Sequence, residues 1–117
     1  MAYDLLNMLR FKEIADDSSS PELAPDAPIS GAEAYDRYLQ HVLPFVQTAG
    51  GTVLYKASGA AWLLGPHDER WDLVLIVRHV DEAAFQTLMM DPDYHAGMGH
   101  RTAGVEDGRA LVLTPTA

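Results

Sequence analysis

The chain has 117 residues, of which 48% are apolar and 21% charged, values typical of one globular domain with its own core. Its formal net charge of −9 argues against nucleic acid and against an anionic membrane surface, because both select basic faces. The absence of cysteine excludes disulfides and thiolate catalysis. The sequence has neither a signal-peptide pattern nor an apolar run of about 20 residues, so we expect one acidic, cytoplasmic domain over residues 1–117.

The first quarter of the chain predicts a strand and a loop. Residues 3–14 carry apolar side chains at both odd and even positions, which is typical of a central strand covered on both faces. Residues 16–29 are rich in serine and proline, and we expect them to form a flexible loop insertion. Such a loop can serve as a lid or be a plain surface insertion.

A helix is predicted next. Ser30 and Glu33 have the spacing of a capping box, in which each side chain satisfies a free backbone donor. Apolar residues then recur at helical spacing up to Gly50, where glycine can take the left-handed conformation that ends a helix. Pro44 interrupts this pattern and is expected to kink or restart the helix.

Two strands and a second helical region follow. Residues 52–64 predict a strand bent at Gly59, and residues 71–79 predict a third strand with an unbroken apolar run. Asp81 is placed to cap a second helix, and the Asp91-Pro92 pair to start its continuation to about residue 104. Residues 109–114 predict the last strand.

The order β-α-β-β-α-β predicts an α+β ferredoxin-like plait, with helices on one face of a four-stranded antiparallel sheet. Two helices cover only one face of such a sheet, yet the first and third strands are apolar on both faces. A second copy of the chain is the simplest cover for the other face, so we expect a homodimer.

Several short motifs occur together from Leu5 to Leu113. They are Asn7-Met8-Leu9-Arg10-Phe11, Gly50-Gly51, Glu69-Arg70-Trp71-Asp72, Asp91-Pro92-Asp93-Tyr94, His100-Arg101, and Glu106-Asp107 before Arg109. The set resembles a domain-of-unknown-function 1330-like family of the dimeric α+β barrel superfamily. The loop at 16–29 is longer than is usual there, and Gly108 stands where such chains more often have serine.

The resemblance implies a ferredoxin-like protomer whose sheet packs on the sheet of a partner. The wider superfamily includes cofactor-free monooxygenases, lactone isomerases, haem-dependent enzymes and ligand-sensing domains. The family has no established reaction, so the resemblance implies an architecture and no particular chemistry.

Asn7 is the first candidate for a ligand-binding residue. We expect Leu6 and Met8 to pack under the helices, which places Asn7, with its pleat mate Phe11, in a cavity between sheet and partner. A buried amide needs hydrogen bonds, and either a ligand or a neighbouring protein group can supply them.

Three further residues complete the predicted ligand site. Arg78 shares a pleat face with Asp72 and can hold a carboxylate or enolate oxygen, although an ion pair at the strand end is the alternative. Tyr55 and Trp62 are placed on the second strand, where they can line an apolar pocket or pack in the core or dimer interface.

His100 is the candidate general base, because imidazole titrates near neutrality; a surface or ion-paired histidine is the alternative. The five histidines lack metal-ligand spacing, and we expect neither a metal nor a cofactor. Two functions remain open. One is binding of a small apolar or aromatic metabolite, with or without a cofactor-free monooxygenase- or isomerase-like reaction. The other is a non-catalytic dimeric module for ligand sensing or assembly.

Overall fold

The structure is a computed structural model that describes residues 1–116. Four strands form the sheet: β1 (Tyr3–Phe11), β2 (Thr52–Ser58), β3 (Leu73–His79) and β4 (Val105–Leu113). The helices are α1 (Gly31–Thr48), α2 (Glu82–Met89), α3 (Pro92–His95) and α4 (Met98–Gly104), with a 3₁₀ turn at Pro21–Leu23. No helix within these residues is both long and apolar enough to cross a bilayer.

The sheet has the order β2-β3-β1-β4, and every neighbouring pair is antiparallel. The predicted ferredoxin-like plait is therefore confirmed, with the second helical region divided into α2, α3 and α4. Asp81 and Asp91 cap α2 and α3 as predicted, since their carboxylates accept hydrogen bonds from Ala84 N and Asp93 N.

Several predicted boundaries are wrong. β1 ends at Phe11, and Ile14 makes only an isolated bridge to Ser30. β2 ends at Ser58, because the chain turns away at Gly59, and the irregularity in its register lies between Val53 and Tyr55. β4 begins at Val105, four residues before the predicted start at 109.

α1 is one helix that runs through Pro44 without a restart. Its Ser30 cap accepts the Glu33 backbone N–H as predicted, while the reciprocal bond of a capping box is not formed. The helix ends at Thr48 with Ala49 as its C-cap, and the next residue, Gly50, has a φ of 85° in the left-handed region that glycine adopts without strain.

The core lies between α1 and one face of the sheet. It contains Leu9, Leu75 and Val77 from the central strands and Leu39, Val42 and Val46 from α1. Tyr35, Tyr38, Leu88 and Tyr94 complete this cluster. The core side therefore carries the odd-numbered residues of β1 and β3.

This arrangement reverses the predicted placement of β1. Asn7 pairs with Leu75 and faces the helices, whereas Leu6 and Met8 pair with Ile76 and Val74 on the opposite face. The prediction was wrong because both sets of side chains are suited to burial, and alternation alone does not say which face the helices cover.

The second face is the open sheet face, and no helix within residues 1–116 covers it. Its apolar residues are Leu6, Met8, Tyr55, Ala57, Val74, Ile76, Leu111 and Leu113. The chain is only 17 Å thick along its shortest axis, as expected for one sheet and one helical layer.

The loop at 16–29 is attached at its base. Ala15 N donates to Ile29 O, and Asp16 N donates to Ala103 O, both at 2.9 Å. The loop also lies against α4, since a Cβ on Gly99 would come within 2.6 Å of Leu23.

Candidate functional site

A narrow space separates α1 from the sheet, and we call it the interior seam. Its volume is about 80 Å³. Apolar side chains form most of the lining, and the polar groups that reach it come from Asn7, Tyr35, Tyr38, His79 and Tyr94. Because ligand pockets are mostly apolar with a few placed polar groups, this lining has the composition of a binding site.

Asn7 lies in the middle of β1 and points into the seam. Its Nδ2 donates to the backbone oxygens of Leu5 and Leu75 at 3.4 and 3.3 Å, so part of the amide is satisfied by the sheet itself. No donor among residues 1–116 bonds its Oδ1, which leaves an acceptor directed away from the ladder.

Three tyrosines supply hydroxyl groups from the helical layer. Tyr38 and Tyr94 bring their hydroxyl oxygens to 3.3 Å, and one donates to the other. The hydroxyl of Tyr35 forms no hydrogen bond within the described residues; because none of their side-chain polar atoms is both fully buried and unpaired, this hydroxyl is accessible to solvent. Burial raises the pKa values of Tyr35 and Tyr94, so both hydroxyls stay protonated and can donate.

His79 lines the far end of the seam, at the last residue of β3. Only 5% of this residue is exposed, and its ring packs edge-on against Phe85 at 5.0 Å. Burial lowers the pKa of His79, which outweighs the opposing effect of the Asp4 carboxylate. The ring is therefore neutral at pH 7.

An open groove of about 520 Å³ adjoins the seam, and we call it the Lys56 groove. Tyr35 and Leu39 line both spaces, so the groove is the natural approach to the seam from that end. Its other lining residues are Phe11, Lys12, Glu13, Ser30, Ala32, Asp36, Lys56, Ser58, Asp72 and Leu73.

The predicted site residues are divided among several places. Asn7 lines the seam and Phe11 the groove, so these two lie near each other. Tyr55 and Arg78 project from the open sheet face, where they pair in register with Ile76 and Thr52. Trp62 lies beyond β2 in the loop before β3, with its Nε1 donating to Glu69 O at 2.8 Å. The five residues therefore do not form one pocket.

Arg78 forms the ion pair that was the alternative to ligand binding. Its Nε and Nη2 donate to the two carboxylate oxygens of Asp4, each at 2.8 Å. The hydrogen bond from Arg78 is the main reason that the pKa of Asp4 lies below its usual value. This bidentate geometry occupies the guanidinium edge that a ligand carboxylate would need.

His100 lies on α4, outside the residues that line the seam and the groove. Partial burial, with the nearby positive charge of Arg37, lowers its pKa, and Asp17 acts in the opposite direction. A general base must be within hydrogen-bonding reach of the ligand, so the seam gives His100 no catalytic position.

Many of the motif residues surround Trp71 at one end of the open sheet face. The guanidinium groups of Arg10 and Arg109 lie 5.8 and 5.3 Å from the Trp71 ring, and its Nε1 donates to Glu69 at 2.9 Å. Arg10 also pairs with Glu106 at 2.9 Å. Because each arginine here also has a carboxylate partner, the cluster is a structural feature of the sheet end.

A further groove of about 910 Å³ lies between α1 and α2. Its lining is apolar apart from Thr48, Thr87 and Asp91. Thr87 donates to Ala83 O and Asp91 caps α3, so two of these three groups are already engaged. Nor do three or more His, Asp or Glu side chains converge on a metal site anywhere in residues 1–116.

Sequence reasoning missed the three tyrosines and His79. Tyr35 and Tyr38 fit the apolar stripe of α1, so their rings were assigned to the core and their hydroxyls ignored. The sequence did contain a signal for them, because Tyr35 and Tyr38 lie on one helix face and the hydroxyl of a buried tyrosine usually needs a hydrogen-bond partner.

The fold and the seam together define a ferredoxin-like α+β protein with polar groups gathered between its sheet and its helices. The chain belongs to the family described as Domain of unknown function (DUF1330), whose family model matches residues 26–115. No match was found among curated proteins.

Solved structures give the same fold. The RPA0582 protein of unknown function from Rhodopseudomonas palustris is 34% identical, with a TM-score of 0.84 over 99% of this chain and 83% of that one. A DABB family protein from Mesorhizobium loti is 14% identical, with a TM-score of 0.60 over 99% and 98%. A dimeric ferredoxin-like protein of unknown function from Thermobifida fusca is 16% identical, with a TM-score of 0.55 over 98% and 92%. The last two likenesses concern the fold alone.

Proposed function

We propose that this protein is a homodimer that binds a small apolar or aromatic metabolite between its sheet and α1. The observation that carries the proposal is the interior seam, a mostly apolar space reached by the polar groups of Asn7, Tyr35 and Tyr94. A few polar groups placed in a mostly apolar space are typical of ligand sites, where they orient the bound molecule.

The ligand occupies more than the seam. A space of about 80 Å³ is well below the roughly 300 Å³ at which typical ligand pockets begin. The adjoining Lys56 groove has about 520 Å³ and offers Phe11 and Leu73 as apolar walls. The polar end of the metabolite therefore enters the seam at Tyr35, and its apolar body rests in the groove.

Binding is the form of the proposal that the geometry supports best. A cofactor-free reaction, monooxygenase- or isomerase-like, needs a proton acceptor in contact with the ligand. The expected base, His100, lines neither space. The proposal is therefore limited to ligand binding and assigns no catalytic role to His100.

The test is a thermal-shift screen of the purified full-length protein against aromatic acids, aromatic alcohols and cyclic ketones. A ligand at 100 times its dissociation constant stabilises the folded state by about 2.7 kcal/mol. Tyr35→Phe removes a hydroxyl without a protein partner, so we expect it to leave the unliganded melting temperature unchanged and to weaken every hit.

Tyr55→Phe is the matched control. Tyr55 is 59% exposed and projects from the opposite face, so the same chemical change there must leave the hits unaffected. Hits that bind equally to wild type and Tyr35→Phe would place the ligand elsewhere and refute the seam as the site.

The dimer is proposed from the open sheet face. An apolar patch on the two central strands consists of Leu6, Met8, Val74 and Ile76, and no helix of the described part of the chain covers it. Patches of this kind mark interaction surfaces, and a twofold partner presents the same patch in return.

Light scattering coupled to size-exclusion chromatography tests this part. We expect the mass of two chains for wild type and of one chain for Ile76→Glu, because the new carboxylate would be buried without a partner. Met90→Glu is the control, since Met90 is 81% exposed on the helical side. A monomeric wild type would refute the dimer.

The second candidate is a non-catalytic dimeric module for sensing or assembly. The small volume of the seam favours it, because a nearly filled interior needs no ligand. It predicts that no compound of the screen shifts the melting temperature, while the dimer and its sensitivity to Ile76→Glu persist.

A further inference from the structure

The groove between α1 and α2 has no part in the proposed function, and we call it the α1–α2 groove. Its volume of about 910 Å³ lies within the range of roughly 300–1,000 Å³ that is typical of ligand pockets. The interior seam and the Lys56 groove share Tyr35 and Leu39, whereas no residue that lines the α1–α2 groove lines either of them. The groove is therefore a separate space with a chemistry of its own.

Two helix faces with small side chains leave this space open. Ala84, Thr87 and Leu88 are three and four residues apart, so they lie on one face of α2. Thr48 and Ala49 line the opposite side, at the end of α1. Because alanine and threonine side chains are short, they do not fill the gap between the two helices. The result is an apolar groove in which Leu88 is buried and the threonines are exposed.

The charges around the groove are mainly negative. α1 ends at Thr48 and α2 ends at Met89, so two helix C-termini, each with a partial negative charge, lie at the groove. Asp91 adds a full negative charge to the lining. None of the described residues that line the groove is a lysine, an arginine or a histidine. The groove therefore combines apolar walls with a negative end.

Two features oppose this charge and are smaller. The N-terminus of α3 also lies at the groove, but a helix of four residues has a small dipole. The His95 ring donates to Met89 O, which engages one carbonyl at the end of α2. Asp91 Oδ1 accepts from Asp93 N at 2.8 Å, and Asp91 forms no salt bridge within residues 1–116. The carboxylate therefore keeps its charge and has a second oxygen available.

We propose that the α1–α2 groove binds a small amphipathic cation, namely a primary amine with a hydrocarbon body. Its ammonium group pairs with the Asp91 carboxylate, and its hydrocarbon packs on Phe45 and Leu88. Met90 is 81% exposed at the edge of the groove and, as a flexible apolar side chain, is suited to cover the bound molecule. An anion would be repelled by Asp91 and by both helix C-termini, so the groove selects for positive charge.

The test uses octylamine as the cation and octanol as the neutral compound of the same chain length. Binding to the full-length protein is measured by calorimetry at neutral pH, where an alkylamine is protonated. Ala84→Trp should abolish octylamine binding, because the indole fills the groove. Ala83→Trp is its control, since Ala83 is exposed on α2 and lies outside the groove.

Asp91→Asn isolates the charge, because asparagine is an equally good N-cap and can still accept from Asp93 N. We expect this variant to bind octylamine about 5-fold more weakly, as for the loss of a partly exposed ion pair, and to bind octanol as wild type does. Asp81→Asn is the matched control, since Asp81 caps α2 in the same way and does not line the groove.

The absence of octylamine binding to wild type, or equal affinity in wild type and Ala84→Trp, overturns the groove as the site. Equal affinity in wild type and Asp91→Asn, or an equal loss in Asp81→Asn, overturns the pairing of the ammonium group with Asp91. Tyr35→Phe should bind octylamine as wild type does, and a loss there would assign octylamine to the seam instead. Circular dichroism verifies that each variant is folded, and Asp91→Asn decides the outcome if Ala84→Trp does not fold.

Discussion

The two faces of the sheet carry similar apolar side chains and have different surroundings. On the helix-covered face, Leu75 and Val77 are buried by α1 within a single chain. On the open sheet face, Val74 and Ile76 alternate with them along the same strand and remain partly exposed. Apolar side chains on a strand therefore indicate that a sheet face is to be buried, while the topology of the fold decides which surface buries it.

The largest effect is expected from Leu75→Ala on the covered face. Leu75 is 2% exposed, so its truncation leaves a cavity and lowers the free energy of unfolding by about 2–5 kcal/mol. Urea denaturation measures this loss, which should not depend on protein concentration. Ile76→Ala, one residue further along β3, should cost less in dilute protein. Equal losses at low concentration would contradict the difference between the faces.

The next effect is the dependence of the free energy of unfolding on protein concentration. If the open sheet face is covered by a second copy, the free energy of unfolding per dimer should rise by about 1.4 kcal/mol for each tenfold increase in protein concentration. Melting curves over a hundredfold concentration range measure this dependence. A melting temperature independent of concentration in wild type would show that the open face remains uncovered; Ile76→Glu should display such independence.

A smaller effect is expected at the edge of the open face, where Arg78 pairs with Asp4. Arg78→Met removes both hydrogen bonds and should raise the pKa of Asp4, because that hydrogen bonding is the main cause of its lowering. A lowered carboxyl pKa stabilises the fold above its unfolded value of 3.8, and this stabilisation is lost as pH falls through the folded pKa.

The free energy of unfolding that Arg78→Met loses should therefore reach its full value near neutral pH and be small well below pH 3.8. Chemical denaturation of both proteins at the two pH values provides the measurement. If wild type and Arg78→Met differ in free energy of unfolding by the same amount at both pH values, Arg78 stabilises the fold through packing and not through the charge of Asp4.

The smallest effect is the contribution of His79 on the covered face. Burial lowers its pKa from 6.5, so the folded protein binds this proton less readily than the unfolded chain. Stability should consequently fall as pH drops below 6.5 and level off below the folded pKa. His79→Gln should remove this part of the pH dependence. Histidine resonances followed by NMR would show whether His79 titrates below 6.5.

Much of the fold followed from local patterns. The capping residues Ser30, Asp81 and Asp91 and the left-handed Gly50 mark helix ends that the structure confirms. Proline was a weaker guide, because Pro44 is accommodated inside α1. Glycine in the predicted second strand was read as a bend, whereas Gly59 ends the strand, since its backbone lies against Trp71.

The candidate site was less accessible from the sequence. Asn7 was recognised as a polar residue in an apolar strand, but it was assigned to the wrong face. Arg78 was a candidate for ligand binding with an ion pair as the alternative, and only the structure shows that Asp4 is its partner. Partners distant in the chain decide which charges are available.

The sequence by itself determined the elements, their order and the presence of two apolar sheet faces, because caps, periodicity and glycine act over a few residues. Only the tertiary structure decided which face α1 covers and which polar groups meet beneath it. A strand with apolar residues at every position satisfies either orientation locally, and the choice is made by the packing of the whole chain.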